Sequence, residues 1–163
     1  MPNYPNGKSS VTPYVVAKGP ERLLDFMTKA FAADVYLTVP DPDGSIGHAE
    51  ARIGDSVVMV FDSNDDWPHT PAFLSLYVED VDATTRLAFK QGVQLVTEVV
   101  TSGITGDRGG RFRDPVGNIW WIQTHQHDIS QEEMHAKFAD SGELATMRRA
   151  QESFDQAMHM LGQ

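Results

Sequence analysis

GDRGGRFRDPVGNIWWIQTH, residues 106–125, reads as a strand, a tight turn at Asp114-Pro115-Val116-Gly117-Asn118 and a second, aromatic strand. Pro115 presets φ for the turn, and Gly117 supplies the positive φ that closes it. A weaker copy of this strand–turn–strand stands earlier, as HAEARIGDSVVMVFD at 48–62. Working outward from each copy, the same kinds of element precede it. Before the first come VTPYVV (11–16), a β-branched and aromatic strand, and a helix opened by Gly19-Pro20. Leu23, Phe26, Met27, Ala30 and Phe31 keep helical spacing and predict one buried stripe. Before the second copy come a strand at Phe73–Val78 and a helix capped by Asp80 and stopped by Gly92. Ala83 and Leu87 are expected on that helix's inner face. Each half therefore reads as βαβββ, which makes the fold class α+β.

The two halves keep a near-constant offset. Gly19 and Asp80, at the two helix starts, stand 61 residues apart, and Met59 and Trp121, in the two fourth strands, stand 62 apart. Such a shift over a whole unit argues for duplication. The expected organisation is a loose arm at 1–10, module one at 11–62, module two at 73–125 and a helical extension at 126–163. Asn64–Thr70 is the polar boundary between the modules. In the extension, Ser130-Gln131-Glu132-Glu133 has the form of a capping box. Beyond Ser141-Gly142, the residues Leu144, Met147, Ala150, Phe154, Met158 and Leu161 form an apolar stripe. That stripe needs a cover, either its own sheet or a partner subunit.

Composition narrows the function. Thirteen basic residues against 23 acidic ones leave a net charge of −10. Nucleic acids and anionic membranes are poor partners for that surface. No apolar run is long enough to span a bilayer, and the start of the chain lacks the basic-then-apolar pattern of a signal peptide, so the cytoplasm is the expected compartment. With no cysteine there are no disulfides, thiolate metal sites or cysteine nucleophiles.

Two βαβββ units with a DPxGN turn before the last strand resemble the vicinal oxygen chelate superfamily of glyoxalases, bleomycin-resistance proteins and dioxygenases. VTPYVV, HAEARIGDSVVM, LYVEDVDA and the 106–125 stretch resemble its PhnB-like branch. The resemblance implies half-open sheets around a central pocket, commonly in a homodimer, with a small organic molecule as ligand. Metal-dependent members place a ligand on the first strand of a module and a carboxylate on the fourth. The matching positions here are Thr12 and Phe73, then Met59 and Trp121, which are poor ligands for a divalent ion. No metal or other cofactor is therefore expected at the usual place.

Candidate residues remain. His48 and Glu50 are two apart on a strand and share a face. They could act as a base with its orienting partner, or hold a relocated divalent metal for a lyase, isomerase or dioxygenase. Tyr14, Tyr77 and Trp121, on strands expected to wall the pocket, are candidate ligand-binding residues, joined by Arg108, whose guanidinium suits a carboxylate or phosphate. Trp120 and Trp121 must face opposite ways. Arg111 and Arg113 share a strand face, with Asp107 and Asp114 near enough in sequence to pair with the arginines.

Overall fold

A computed structural model describes residue 5 and residues 8–160. Most of the 1–10 arm and Leu161 of the tail stripe lie outside the described residues. The described residues form eight strands and four helices. In order these are β1 (Tyr14–Ala17), α1 (Pro20–Phe31), β2 (Asp34–Pro40), β3 (Ile46–Ile53), β4 (Ser56–Asp62), β5 (Phe73–Tyr77), α2 (Val81–Lys90), β6 (Gln94–Thr101), β7 (Asp107–Arg113), β8 (Ile119–His125), α3 (Gln131–Lys137) and α4 (Ser141–His159). Two four-stranded mixed sheets result, with strand orders β1-β4-β3-β2 and β5-β8-β7-β6. In each sheet the first strand lies parallel to the fourth, and the other pairs are antiparallel. The α+β architecture of two βαβββ halves with a helical tail is as the sequence predicts.

Both helices feed one core. Leu23, Phe26, Met27 and Ala30 of α1 are buried against Val15, Ala49, Ala51, Val58 and Val60 of the first sheet and Phe112, Trp120 and Ile122 of the second. Trp120 is the main link between halves, its ring 4.8 Å from Phe31 and 6.4 Å from Phe26. In α2 the buried residues are Val81, Thr85 and Ala88, while Leu87 is 44% exposed. The expected inner face of α2 was thus rotated: the i, i+4, i+7 set beginning at Val81 wins, because Val81 is the first helical residue and already lies in the core. The first strand also begins at Tyr14, later than the VTPYVV run suggests; Thr12 instead donates a hydrogen bond to the carbonyl of Ser9.

Local chemistry explains the turns. Asp114 accepts from the backbone N–H groups of Val116 and Asn118, from Asn118 Nδ2 and from Trp120 Nε1, all at 2.9–3.0 Å. One buried carboxylate therefore locks the turn and orients the core tryptophan. The capping box forms as read, Ser130 Oγ accepting from Glu133 N and Glu133 Oε2 accepting from Ser130 N. Gly106 has φ +73°, and a Cβ there would stand 2.0 Å from the carbonyl oxygen of His127, so only glycine fits.

Part of the tail is covered within the chain. Helix α4 lies on the second sheet, where Ala157 joins Val96 and Ile119 in a small core with Phe154 packed against it. Leu144 and Met147 of the helix and Met160 just beyond it stay exposed. No helix among the described residues is long and apolar enough to cross a membrane.

Candidate functional site

Each sheet has one face in the shared core and one face turned away from it. On the first sheet the outer face carries a hydrogen-bonded chain. Strand β3 pairs with β4 so that Glu50 lies beside Met59, and β1 pairs with β4 so that Tyr14 flanks Met59 from the other side. His48, two residues from Glu50, points the same way. The Tyr14 hydroxyl meets His48 Nδ1 at 3.0 Å, and His48 Nε2 meets Glu50 Oε1 at 2.9 Å. Glu50 also accepts from Lys8 Nζ and from the Tyr36 hydroxyl, both at 2.5 Å. Phe61 stacks edge-on against Tyr14 at 4.7 Å and against Trp67 at 6.1 Å, which completes an aromatic rim.

The electrostatics follow from these contacts. Glu50 is only 6% exposed, yet the Lys8 ammonium, then the Tyr36 hydroxyl, and then His48 hold its carboxyl at about 2. It is therefore an acceptor throughout the physiological range. Burial first, and then the adjacent Glu50 charge, push the Tyr36 hydroxyl up. A carboxylate on Nε2 assigns the proton of neutral His48 to that nitrogen, leaving Nδ1 to accept from the Tyr14 O–H. Tyr14, 49% exposed, is the outward end of the relay. A proton taken up by the Tyr14 oxygen can be balanced by passing its own to His48, whose imidazolium Glu50 stabilises.

The sequence-predicted residues do not gather in one place. Tyr14, His48 and Glu50 come together. Tyr77 lies on the edge strand β5, donating to Asp107 Oδ2 at 3.1 Å, and lines an open groove of about 940 Å³ at the junction of the modules. Trp121 lines a cavity under α4 instead. Arg108 stands apart from all of them: its Nε and Nη2 donate to both carboxylate oxygens of Asp82 on α2, at 2.9 and 2.8 Å. That fork is already occupied by a protein carboxylate. Among the described residues Asp107 and Asp114 pair with no arginine. Asp107 binds Tyr77 and, at 2.7 Å, His125 Nδ1, and Asp114 holds its own turn. Arg113 turns to the tail, donating to the Ala157 carbonyl at 2.8 Å.

Two members of the relay were not read from the sequence. Lys8 comes from the polar arm and reaches Glu50 across 42 residues. Tyr36 reaches it because β2 is bulged between Val35 and Leu37, which resets the side chains relative to β3. The aromatic Tyr36 in a strand was the one available signal, and a regular alternation could not have assigned its face.

The usual metal positions do not fit an ion. Met59 and Trp121 occupy the fourth strands, and Phe73 begins β5; thioether, indole and phenyl groups are not ligands for a hard or borderline divalent cation. The relocated pair brings together only two such groups, His48 Nε2 and Glu50 Oε1, which hydrogen-bond each other. Among the described residues no group of three or more His, Asp or Glu side chains is placed to hold an ion.

Comparison with known proteins agrees with this architecture. Residues 11–122 match the model of the Glyoxalase/Bleomycin resistance protein/Dioxygenase superfamily. An uncharacterized protein of Mycobacterium bovis is 31% identical over 152 residues, covering 85% of this chain and 97% of its own length. Among solved structures, TioX from Micromonospora sp. ML1 superposes with a TM-score of 0.59 at 23% identity, covering 75% of this chain and all of TioX. A PhnB protein from Bacillus cereus gives 0.53 at 15% identity, covering 71% of this chain and 99% of its own. A family model spanning most of the chain, on a fold built twice from βαβββ, places this protein in the glyoxalase, bleomycin-resistance and dioxygenase superfamily.

Proposed function

We propose that this protein is a PhnB-like member of the superfamily that binds a small organic molecule without the family's usual metal, as a cytoplasmic homodimer. The observation that carries the reading is the outer face of the first sheet. There Tyr14, Tyr36, Met59 and Phe61 share a face with a polar centre of Glu50, His48 and Lys8. Apolar bulk with a few convergent polar groups is what recognition of a small organic molecule requires. Met59 stands where a metal-dependent relative needs a carboxylate, so the face offers shape and hydrogen bonds and no Lewis acid. Sequestration needs nothing more.

The direct test is amide NMR of the labelled chain against a library of small neutral and charged aromatics. Binding should move the signals of Tyr14, His48, Glu50 and Phe61 together. A screen in which every binder leaves those four signals unmoved would refute the reading.

A second reading rests on the relay itself. Tyr14, His48 and Glu50 stand in the order needed to take a proton from a bound molecule. A metal-free acid–base reaction, such as an isomerisation of a carbonyl compound, would use Tyr14 as the contacting group, His48 as its base and Glu50 as the orienting charge. Deuterium exchange from D2O into a bound carbonyl compound, accelerated by the protein and lost in Tyr14→Phe and His48→Ala, would select this reading over plain sequestration.

A further inference from the structure

The outer face of the second sheet carries a charge that this reading leaves unused. Arg111 pairs with Trp121 as Glu50 pairs with Met59, so it holds the matching register position. Its guanidinium lies between two rings, 4.8 Å from the centroid of Trp121 and 5.0 Å from that of Phe154 on α4. It donates to Thr97 Oγ1 at 3.4 Å and to the Ala150 carbonyl at 3.3 Å, both long contacts made through Nη1. A guanidinium has five N–H donors in a planar fork, so most of them remain unspent. Among the described residues none of the ion pairs formed involves Arg111, in a chain with 23 acidic residues. Arg108, on the same strand, shows the alternative: a bidentate carboxylate. Among the described residues Arg113, on the same face as Arg111, also has no carboxylate, and its buried Nε has no partner.

A cation drawn out of water without a counter-charge is costly. Burial pushes the Arg111 guanidinium down from its ordinary value, as desolvation without compensation must. Beside it, between the sheet and α4, opens a cavity of about 170 Å³, lined by Thr97, Val100, Trp121, Gln123, Glu143 and Met147. At about 30 Å³ of liquid volume per water, that is room for roughly six waters, or for one small ring. The walls are mostly apolar. Two carboxylates also line the cavity: Glu143, which accepts from the Gly103 N–H at 3.1 Å, and Asp107, which is bound to Tyr77 and His125; their charge disfavours a second anionic group on the ligand.

From this geometry we infer that the space between the second sheet and α4 is a binding site for a small monocarboxylate with a planar apolar body. Arg111 takes the carboxylate through the free edge of its fork, since guanidinium and carboxylate match in a planar, two-bond arrangement. Trp121 and Met147 flank the body. Helix α4 is the roof, and Phe154 fixes the plane of the guanidinium. This site is separate from the Tyr14 face and goes beyond the function proposed there.

The test is a calorimetric titration of the full chain with benzoate and with its neutral counterpart benzamide, paired with NMR mapping. Benzoate should bind at least about tenfold more tightly than benzamide, as a charge-assisted fork predicts. It should move the amide signals of Arg111, Trp121 and Met147 and the Arg111 Nε–H resonance, and leave Tyr14 and His48 still. Arg111→Gln should reduce benzoate to the affinity of benzamide, and Arg111→Lys should retain part of the difference. Equal affinities for the two probes, benzoate binding unchanged in Arg111→Gln, or shifts confined to the Tyr14 face would each overturn the inference. Should Arg111→Gln fail to fold, the wild-type Nε–H resonance and Arg111→Lys decide alone. Because the mapping separates the two faces, loss of this site and loss of the proposed function give different results.

Discussion

The two modules are built to one plan and finished differently. In the first, the fourth-strand residue Met59 is flanked by Tyr14 and Glu50; in the second, Trp121 is flanked by Ser75 and Arg111. One register position thus holds an anion in one half and a cation in the other. The anion is saturated: Lys8, Tyr36 and His48 all serve Glu50. The cation is left without a counter-charge and is covered by α4. Duplication preserved the backbone that places these residues, while the side chains at the equivalent sites diverged into an open relay and a roofed cavity.

The turns differ in the same spirit, and they supply the largest expected effect. The first module turns at Gly54-Asp55 between Ile53 and Ser56, with no buried carboxylate. The second depends on Asp114. Asp114→Ala strips four donors of a buried, charged acceptor and should cost about 3–5 kcal/mol in urea unfolding, with loss of the near-UV signal of Trp120. Asp55→Ala should change stability by no more than about 0.5 kcal/mol. Equal effects at the two turns would break the contrast.

Next in size is the roof. Phe154 is half-buried against Phe73, Ile119 and Arg111. Phe154→Ala should cost about 2 kcal/mol in thermal or urea denaturation, and deletion of residues 141–163 should expose Val96 and Ile119 and reduce solubility. An unchanged, fully soluble protein after that deletion would show the helix to be dispensable for the second module.

Glu50 sharpens the comparison through pH. Its carboxyl sits at about 2 in the folded chain against an ordinary 4.5. The unfolded state therefore binds the proton first as pH falls. The stability from Glu50 is complete above 4.5 and disappears as pH drops through about 2. Glu50→Gln should flatten that part of the acid limb in stability measured across the same window. A limb of unchanged slope would mean that Lys8, Tyr36 and His48 do not hold the charge.

The smallest effect belongs to His125. Asp107 first and Asp128 second raise its folded value above the ordinary 6.5. Its contribution is full below 6.5 and is lost as pH rises through the raised value. His125→Gln should slightly reduce the decline of melting temperature on the alkaline side, and no change at acidic pH is expected beyond a uniform offset.

Much of this was legible in the residues. Alternation placed Trp120 and Trp121 on opposite faces, and the structure puts Trp120 in the core and Trp121 under α4. The His48–Glu50 spacing put both on one face, where they bond. Asp80 caps α2 as its residue type predicts. What escaped was set by contacts distant in sequence. The partner of Arg108 lies on α2, 26 residues away. The bulge that brings Tyr36 to Glu50 leaves no mark in the alternation of β2. Leu87 faces out because Val81 fixes the phase of α2 in the shared core, which depends on how the modules pack. The tail stripe had two available covers, and only the three-dimensional arrangement seats α4 on its own second sheet.

The central claim is that the first module's outer face recognises an organic molecule through Tyr14, His48 and Glu50 with no metal between them. Elemental analysis of protein produced in metal-supplemented medium and purified without chelators tests it most directly, with His48→Ala measured alongside. The account predicts nickel, zinc, manganese and iron well below one equivalent in both proteins. One equivalent of any of them in the wild type, lost in His48→Ala, would contradict it.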